Sequence, residues 1–308
     1  MIAQLKEKLP AVGVLADRSN LKAALVNSSG ELEKLLESPI EKDIPFIESL
    51  DNFANRISNE FGKQYPIGIS ISGLIDPIEN RIVFSTRYPE LVSNDLASVF
   101  AKYGLNCILE NDANASAIAE YIFGAAQNTS SLFYATIGEG VGGAFILNGE
   151  LWRGRHGFAG EFGFVAVDND GLRLEEVASA DNIVRRTISR LNRDSTTVLG
   201  RFNEEEITIG DILEAAREQD DFALLMIERT GTYVGTAVAN VINLLNIEKV
   251  VISGDITTVG DVFIEAVKSR TKELAFGPAF ELAEITKAQL GHEAKLIGAA
   301  LASLRTSG

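Results

Sequence analysis

The chain has 308 residues, of which 46% are hydrophobic and 23% are charged. This length allows two domains of ordinary size, each with its own core. The formal net charge of -15 disfavours direct binding of nucleic acid, because an acidic surface repels phosphate backbones. The single cysteine, Cys107, excludes an internal disulfide and a multi-cysteine metal site, which suits a reducing cytoplasm. No segment approaches the roughly 20 apolar residues of a membrane span.

The first part of the chain predicts strands separated by helices. Apolar and β-branched runs bounded by turn residues indicate strands, and apolar residues at helical spacing indicate helices. Strands are expected at 11–16, 21–26 and 67–73. Helices are expected from about residue 44 and over 96–103, with 31–39 as the connection to the first of them.

The stretch Ile108-Leu109-Glu110-Asn111-Asp112 takes the chain from an apolar strand into a polar turn and then an alanine-rich helix. Acidic and amide groups therefore meet at the carboxyl end of a strand, where α/β proteins commonly bind ligands. A simpler reading is that Asn111 or Asp112 caps the helix. Both readings stay open from these residues alone.

The second part of the chain starts the same pattern again. We expect a strand at 133–137, a glycine-rich turn, a hairpin partner at 144–147, mostly helix over 183–245, a strand at 249–254 and a closing helix at 294–304. Two similarly built halves are implied. The expected domains are 1–114, completed by the C-terminal helix 294–308, and 115–293.

Two glycine-rich segments carry further candidate residues. In the turn with Gly138, Gly140 and Gly142, backbone amides can approach a ligand closely, although a tight hairpin explains the glycines nearly as well. Glu139 in that turn would repel a phosphate. Farther on, Glu161 is a single acid in a glycine-rich loop, either functional or simply exposed at the surface. The two histidines, His156 and His292, have no metal-like partners, so no zinc site is expected.

Together these segments resemble the ROK family (repressors, open reading frames and kinases), over about residues 11–304. The residues that carry the resemblance are Ser72-Gly73-Leu74-Ile75-Asp76-Pro77, Glu110-Asn111-Asp112-Ala113-Asn114, the glycine turn from Gly138, Ala159-Gly160-Glu161-Phe162-Gly163, Leu174-Glu175-Glu176-Val177-Ala178-Ser179, and Asn243-Leu244-Leu245 with Gly254. The resemblance implies an α/β chain with the two-lobed actin-like (ribonuclease H-like) ATPase fold and a sugar bound in the cleft.

The resemblance also implies roles for particular residues. In the family's kinases, the Asp that matches Asp112 is the general base for the sugar hydroxyl. The matching residues for sugar binding are Gly73, Asn111, Asp112, Glu161 and Glu175. Carboxylates suit hydroxyl groups because each accepts several hydrogen bonds. The glycines Gly138, Gly140, Gly142 and Gly254 match the side that binds the nucleotide.

The chain departs from the family's kinases on the phosphate and zinc side. The first phosphate hairpin reads Leu15-Ala16-Asp17-Arg18-Ser19-Asn20 in place of an Asp, a glycine pair and a Thr, and Glu139 stands where a Thr is usual. Phe164 replaces a His that contacts sugar and zinc. The cysteine cluster is missing, because Val167-Asp168-Asn169-Asp170-Gly171 leads almost directly to Glu175.

Phosphoryl transfer depends on neutralising phosphate charge, and one lost donor costs about 3 kcal/mol. We therefore expect a kinase-dead protein of the NagC-like and Mlc-like regulator type, in which a sugar or sugar phosphate closes the two lobes and changes a protein contact. It would be cytoplasmic, need neither ATP with magnesium nor zinc, and form a dimer as family members often do. With some ten residues before the first strand, it would lack its own DNA-binding domain. The alternatives are an active sugar kinase using ATP, magnesium and Asp112, and an interaction protein with an empty cleft.

Overall fold

A computed structural model of the chain describes residues 2–17, 19–41, 43–191 and 196–305. It divides into two compact units. Unit 1 comprises Met1–Ser130, Ala144–Ala159 and Gln289–Gly308, and unit 2 comprises Ser131–Gly143 and Gly160–Ala288.

Twelve strands are found in the described ranges. They are β1 (Ala11–Ala16), β2 (Asn20–Val26), β3 (Leu32–Pro39), β4 (Ile67–Ile71), β5 (Leu74–Asp76), β6 (Arg81–Phe84), β7 (Cys107–Asn111), β8 (Ser131–Ile137), β9 (Val141–Leu147), β10 (Glu150–Trp152), β11 (Lys249–Ser253) and β12 (Glu284–Lys287).

Ten α-helices accompany these strands in the same ranges. They are α1 (Phe46–Phe61), α2 (Leu96–Ala101), α3 (Asp112–Ile122), α4 (Glu175–Ala178), α5 (Ala180–Leu191), α6 (Ile209–Arg217), α7 (Asp221–Leu245), α8 (Val262–Leu274), α9 (Gly277–Leu282) and α10 (Ala294–Ser303). Short 3-10 helices lie at Ile2–Lys8, Pro89–Ser93, Phe162–Phe164, Val198–Arg201, Glu204–Glu206, Asp255–Thr258 and Gly291–Glu293.

The first sheet has the strand order β3-β2-β1-β4-β7. The β1/β2 and β2/β3 pairs are antiparallel, whereas β1/β4 and β4/β7 are parallel. The carboxyl ends of β1, β4 and β7 therefore lie along one edge of the sheet. The second sheet repeats this plan with the order β10-β9-β8-β11-β12, in which β10/β9 is antiparallel and β8/β11 and β11/β12 are parallel. The predicted α/β class and the two similarly built halves are confirmed.

In unit 1, helices α1 and α2 cover one side of the first sheet with buried side chains such as Phe53, Ile57 and Phe100. Helix α10 packs on β1, β4 and α3. Its close approach depends on glycine: a Cβ atom on Gly68 would clash with the carbonyl oxygen of Ala299, and one on Gly298 with that of Ala115. This packing brings the N-terminal ends of α3 and α10 together.

Most of the predicted elements are found, and two expectations differ from the structure. The segment 31–39, expected as a connection, forms the edge strand β3 against β2. The expected domain boundary after residue 114 falls inside helix α3, whose residues are almost all buried within unit 1. No helix in the described part of the chain is long and apolar enough to cross a membrane.

Candidate functional site

Asn111 ends β7 and caps helix α3. Its side-chain oxygen accepts hydrogen bonds from the backbone amides of Ala113 (2.9 Å) and Asn114 (3.2 Å). Its amide nitrogen donates to the carbonyl oxygen of Gly73 (3.0 Å), where the chain leaves β4 with a positive φ. Asn111 thus caps the helix and joins two adjacent strand ends. Of the side chains at this edge, Asp112 is the one that projects from the first turn of α3.

The Asp112 carboxylate forms an ion pair that sequence reasoning missed. Its Oδ2 lies 3.2 Å from Nζ of Lys295, at the start of α10, and accepts a hydrogen bond from Ser72 Oγ at 3.5 Å. Burial by itself would raise the pKa of Asp112, but the nearby charges of Lys295 and Arg87 hold it below its ordinary value. The carboxylate is therefore a fixed anion with a weak affinity for protons.

Arg87 also faces the turn that follows β1. Its Nη2 lies 3.7 Å from Oδ1 of Asp17, in the segment that replaces the phosphate hairpin of the family's kinases. Arg18 of this segment lies outside the described residues. Asp17 thus faces a cation of its own chain.

Glu110, the third polar residue at the end of β7, has a structural role. Its side chain is only 2% exposed and forms a two-pronged ion pair with Arg153, with one contact at 2.8 Å. The same carboxylate accepts hydrogen bonds from Asn114 Nδ2 and from the Asn111 amide, both at 3.0 Å. These contacts bind Glu110 into the fold of unit 1, so it is not offered to a ligand.

In unit 2, Glu175 anchors the glycine turn between β8 and β9. Its Oε2 accepts a hydrogen bond from the backbone amide of Val141 at 3.0 Å. The Gly138 amide donates to the Gly140 carbonyl at 3.0 Å, and the Gly138 carbonyl accepts from Ala180 at 2.8 Å. Two amides of this turn are therefore already engaged, and neither is free to bind a phosphate.

Of the other two glycines assigned to the nucleotide side, one lies within a strand and one follows a strand end. Gly142 belongs to β9. Gly254 follows β11 with φ +117°, and a Cβ atom there would clash with the carbonyl oxygen of Ile137. Close packing of two strand ends therefore requires glycine at this position.

Glu161 lies in the loop before the 3-10 turn Phe162–Phe164 and is exposed. Partial burial and the negative charge of Glu175 raise the pKa of Glu161 above its ordinary value. Unit 2 thus brings Glu161 and Glu175 close together, whereas Gly73, Asn111 and Asp112 are brought together in unit 1. A pair of carboxylates offers several hydrogen-bond acceptors to the hydroxyl groups of a sugar.

A short hairpin stands where the family's zinc segment is missing. The Val167 amide donates to the Leu172 carbonyl at 2.8 Å, and the Asp168 carboxylate accepts from the Asp170 and Leu172 amides. The exposed ring of Phe164, in the position of the metal-binding His, lies under the guanidinium of Arg173 at 4.9 Å. Zinc takes thiolate, imidazole or carboxylate ligands, whereas Phe164 offers no ligand atom and the Asp168 carboxylate already accepts two backbone amides.

The single thiol is also unsuited to a metal. Cys107 is buried in β7, and burial raises its pKa to about 12. Within the described ranges, no group of three His, Cys, Asp or Glu side chains has the geometry of a metal site.

The fold and these strand-end residues define an α/β protein with two sheets of like order and polar groups at the strand ends. The chain belongs to the ROK family, whose model matches residues 11–305. The actin-like ATPase fold expected from the resemblance is shared with the structures of ROK sugar kinases.

Relatives of both functional classes are found. The glucokinase of Halalkalibacterium halodurans is 29% identical over 307 residues, which cover 93% of this chain and 92% of that protein. The DNA-binding transcriptional dual regulator NagC of Escherichia coli K12 is 25% identical over 258 residues, which cover 81% of this chain and 63% of NagC. Among solved structures, a ROK family glucokinase from Streptomyces griseus in complex with glucose and AMPPNP has a TM-score of 0.80 and 25% identity, covering 95% of this chain and 98% of that one.

Proposed function

We propose that this chain binds a sugar or a sugar phosphate without phosphorylating it and acts as a regulator of the ROK type. The sugar-binding groups are Gly73, Asn111 and Asp112 of unit 1 and Glu161 and Glu175 of unit 2. The Asp112–Lys295 ion pair carries the proposal. A general base works best when its pKa lies near the working pH, and Lys295 moves the pKa of Asp112 away from neutrality. A fixed carboxylate remains a good acceptor for a sugar hydroxyl.

The nucleotide side supports the same proposal. Arg87 faces Asp17 after β1, and the carboxylate of Glu175 occupies one amide of the glycine turn. Glu139 adds a further negative charge to this turn. Phosphoryl transfer needs cations and free amide donors, whereas this turn carries the acid Glu139 and its Gly138 and Val141 amides are engaged. We expect neither ATP with magnesium nor zinc as a cofactor.

The second candidate is an active sugar kinase with Asp112 as its base. It is favoured by the similarity to a glucokinase over 92% of that protein's length. If it is correct, Gly138, Gly140, Gly142 and Gly254 would lie against the nucleotide.

Calorimetry with hexoses, N-acetylhexosamines and their 6-phosphates, together with a coupled assay of ADP release, distinguishes the candidates. We expect heat of binding with one class of sugar, no sugar-dependent ADP release, and weaker binding by Asp112→Asn and Glu161→Gln. The control is Asp170→Asn, which removes one charge from the exposed tip of the hairpin after Glu161. Sugar-dependent ADP release that Asp112→Asn abolishes would overturn the proposal. An absence of heat with every sugar would favour an interaction protein instead.

A further inference from the structure

Three arginines lie close together in unit 2 on helices α5 and α7. Arg186 and Arg190 are one helical turn apart on α5, so they share a face of this helix. Arg229 lies on α7 one helical turn before Tyr233, whose ring contacts Arg186. In a chain with a net charge of -15, such a concentration of positive charge is unexpected.

Arg186 is held rigidly at the centre of this cluster. Its Nη2 donates to Thr230 Oγ1 at 2.6 Å, and its guanidinium lies over the ring of Tyr233 at 5.3 Å. Thr230 is fully buried and donates in turn to the carbonyl oxygen of Met226 at 2.8 Å. The Nε atom of Arg186 is buried and has no hydrogen-bond partner. A buried donor without an acceptor costs free energy.

The charges of the cluster are not balanced by carboxylates of the described chain. Among the described residues, no Asp or Glu forms an ion pair with Arg186, Arg190 or Arg229. Arg190 Nη1 contacts only neutral groups, the carbonyl oxygen of Arg186 at 3.1 Å and Ser189 Oγ at 3.3 Å. Burial, together with the charges of Arg190 and Arg229, lowers the pKa of Arg186. The guanidinium groups of Arg190 and Arg229 therefore repel that of Arg186.

We propose that Arg186, Arg190 and Arg229 form a binding site for a phosphoryl group on unit 2, between helices α5 and α7. A dianion would relieve the repulsion of the Arg186 guanidinium by Arg190 and Arg229. Guanidinium groups suit this ligand because their planar donor pairs match the spacing of phosphoryl oxygens. The site does not depend on the proposed sugar function, since its residues are distinct from those assigned to the sugar.

The test measures phosphate binding by the whole chain with and without the guanidinium groups of Arg190 and Arg229. Inorganic phosphate is the probe, sodium chloride at equal ionic strength is the reference, and the variants are Arg190→Gln and Arg229→Gln. Arg185→Gln is the matched control, because Arg185 is exposed on the same helix and its guanidinium donates to the backbone of Glu176.

We expect phosphate to raise the melting temperature of the wild type more than chloride does, and calorimetry to show binding that weakens roughly tenfold or more in each cluster variant. Without phosphate, the two variants should melt higher than the wild type, because one repelling charge has been removed. Arg185→Gln should bind phosphate as the wild type does. The proposal is overturned if chloride stabilises as much as phosphate, if all variants bind equally, or if Arg190→Gln and Arg229→Gln melt lower without phosphate.

Discussion

Lys295 is the residue that forms an ion pair with Asp112. A lysine at the start of a helix is unfavourable for that helix, because the positive end of the helix dipole lies there. Lys295 is nevertheless the second residue of α10, with its Nζ 3.2 Å from the Asp112 carboxylate. The ion pair with Asp112 is a favourable contact that offsets this cost. In the proposed function, this pair keeps Asp112 ionised as an acceptor.

We predict that Lys295→Met raises the pKa of Asp112 and destabilises the protein at neutral pH. The loss should be about 1–3 kcal/mol, between the values for exposed and buried ion pairs, since the two side chains are 32% and 17% exposed. A carboxyl whose pKa is lowered by folding stabilises the protein above its unfolded pKa, and this stabilisation is lost as the pH falls through the folded value. The difference in unfolding free energy between Lys295→Met and the wild type should therefore vanish in acid. Carbon NMR of the Asp112 carboxyl and denaturant unfolding measure the two effects, and an unchanged Asp112 pKa would contradict the assignment.

For Glu161 the predicted effect on stability is the opposite: removing its charge should stabilise the protein at neutral pH. Its pKa is raised by partial burial and by Glu175, so the folded chain holds this proton more tightly than the unfolded chain. Glu161 therefore costs stability once the pH rises through its folded pKa. We predict that Glu161→Gln melts at a higher temperature than the wild type at neutral pH and that the difference disappears in acid, where Glu161 is protonated. Thermal melting over a pH series tests this, with Asp170→Asn as the control for a simple change of net charge. A lower melting temperature for Glu161→Gln at neutral pH would show that the carboxylate stabilises the free protein.

Sequence reasoning identified the polar residues at the strand ends but not the residues that fix them. Asn111 and Asp112 are signalled by their place after an apolar strand, whereas Lys295 follows Asp112 by 183 positions and Arg153 follows Glu110 by 43. Such partners are set by tertiary packing, and local patterns carry no information about it. The charge on Lys295 at a helix start was the one local signal that could have drawn attention to it.

At the scale of elements, the fold was largely predictable because its strands are continuous apolar runs. The exception is β3, whose segment LEKLLESP contains three charged residues that disfavour strands. It forms an edge strand, where charged side chains reach solvent, and Lys34 has a positive φ near the register shift of the β2/β3 pair. Pairing with β2, which no local pattern shows, overrides the weak preference of the segment.

The hairpin after Phe164 shows how a short segment replaces a metal-bound one. We predict that Asp168→Ala destabilises the protein by about 1–2 kcal/mol, because two backbone amides lose their acceptor. Asp170→Ala is the matched control at the tip of the same hairpin and should change stability little. We also expect chelators to leave the melting temperature unchanged and elemental analysis to find no stoichiometric zinc. Equal effects of the two substitutions, or one zinc per chain, would contradict this account of the hairpin.

For the whole molecule, the net charge of -15 decides how the chain interacts with nucleic acid. The arginines of unit 2 form only a local positive cluster, and the surface as a whole repels a phosphate backbone. The match to NagC covers 63% of that regulator, so the shared part need not be the part that contacts DNA. We predict that this chain alone shifts no duplex DNA at physiological salt, with or without a sugar. Electrophoretic shift assays across a salt series measure this, because binding by charge would weaken steeply as salt rises. If no shift is seen, a regulatory role would be exerted through a protein partner. A sequence-specific complex with DNA that resists salt would contradict the prediction and show that the chain contacts DNA itself.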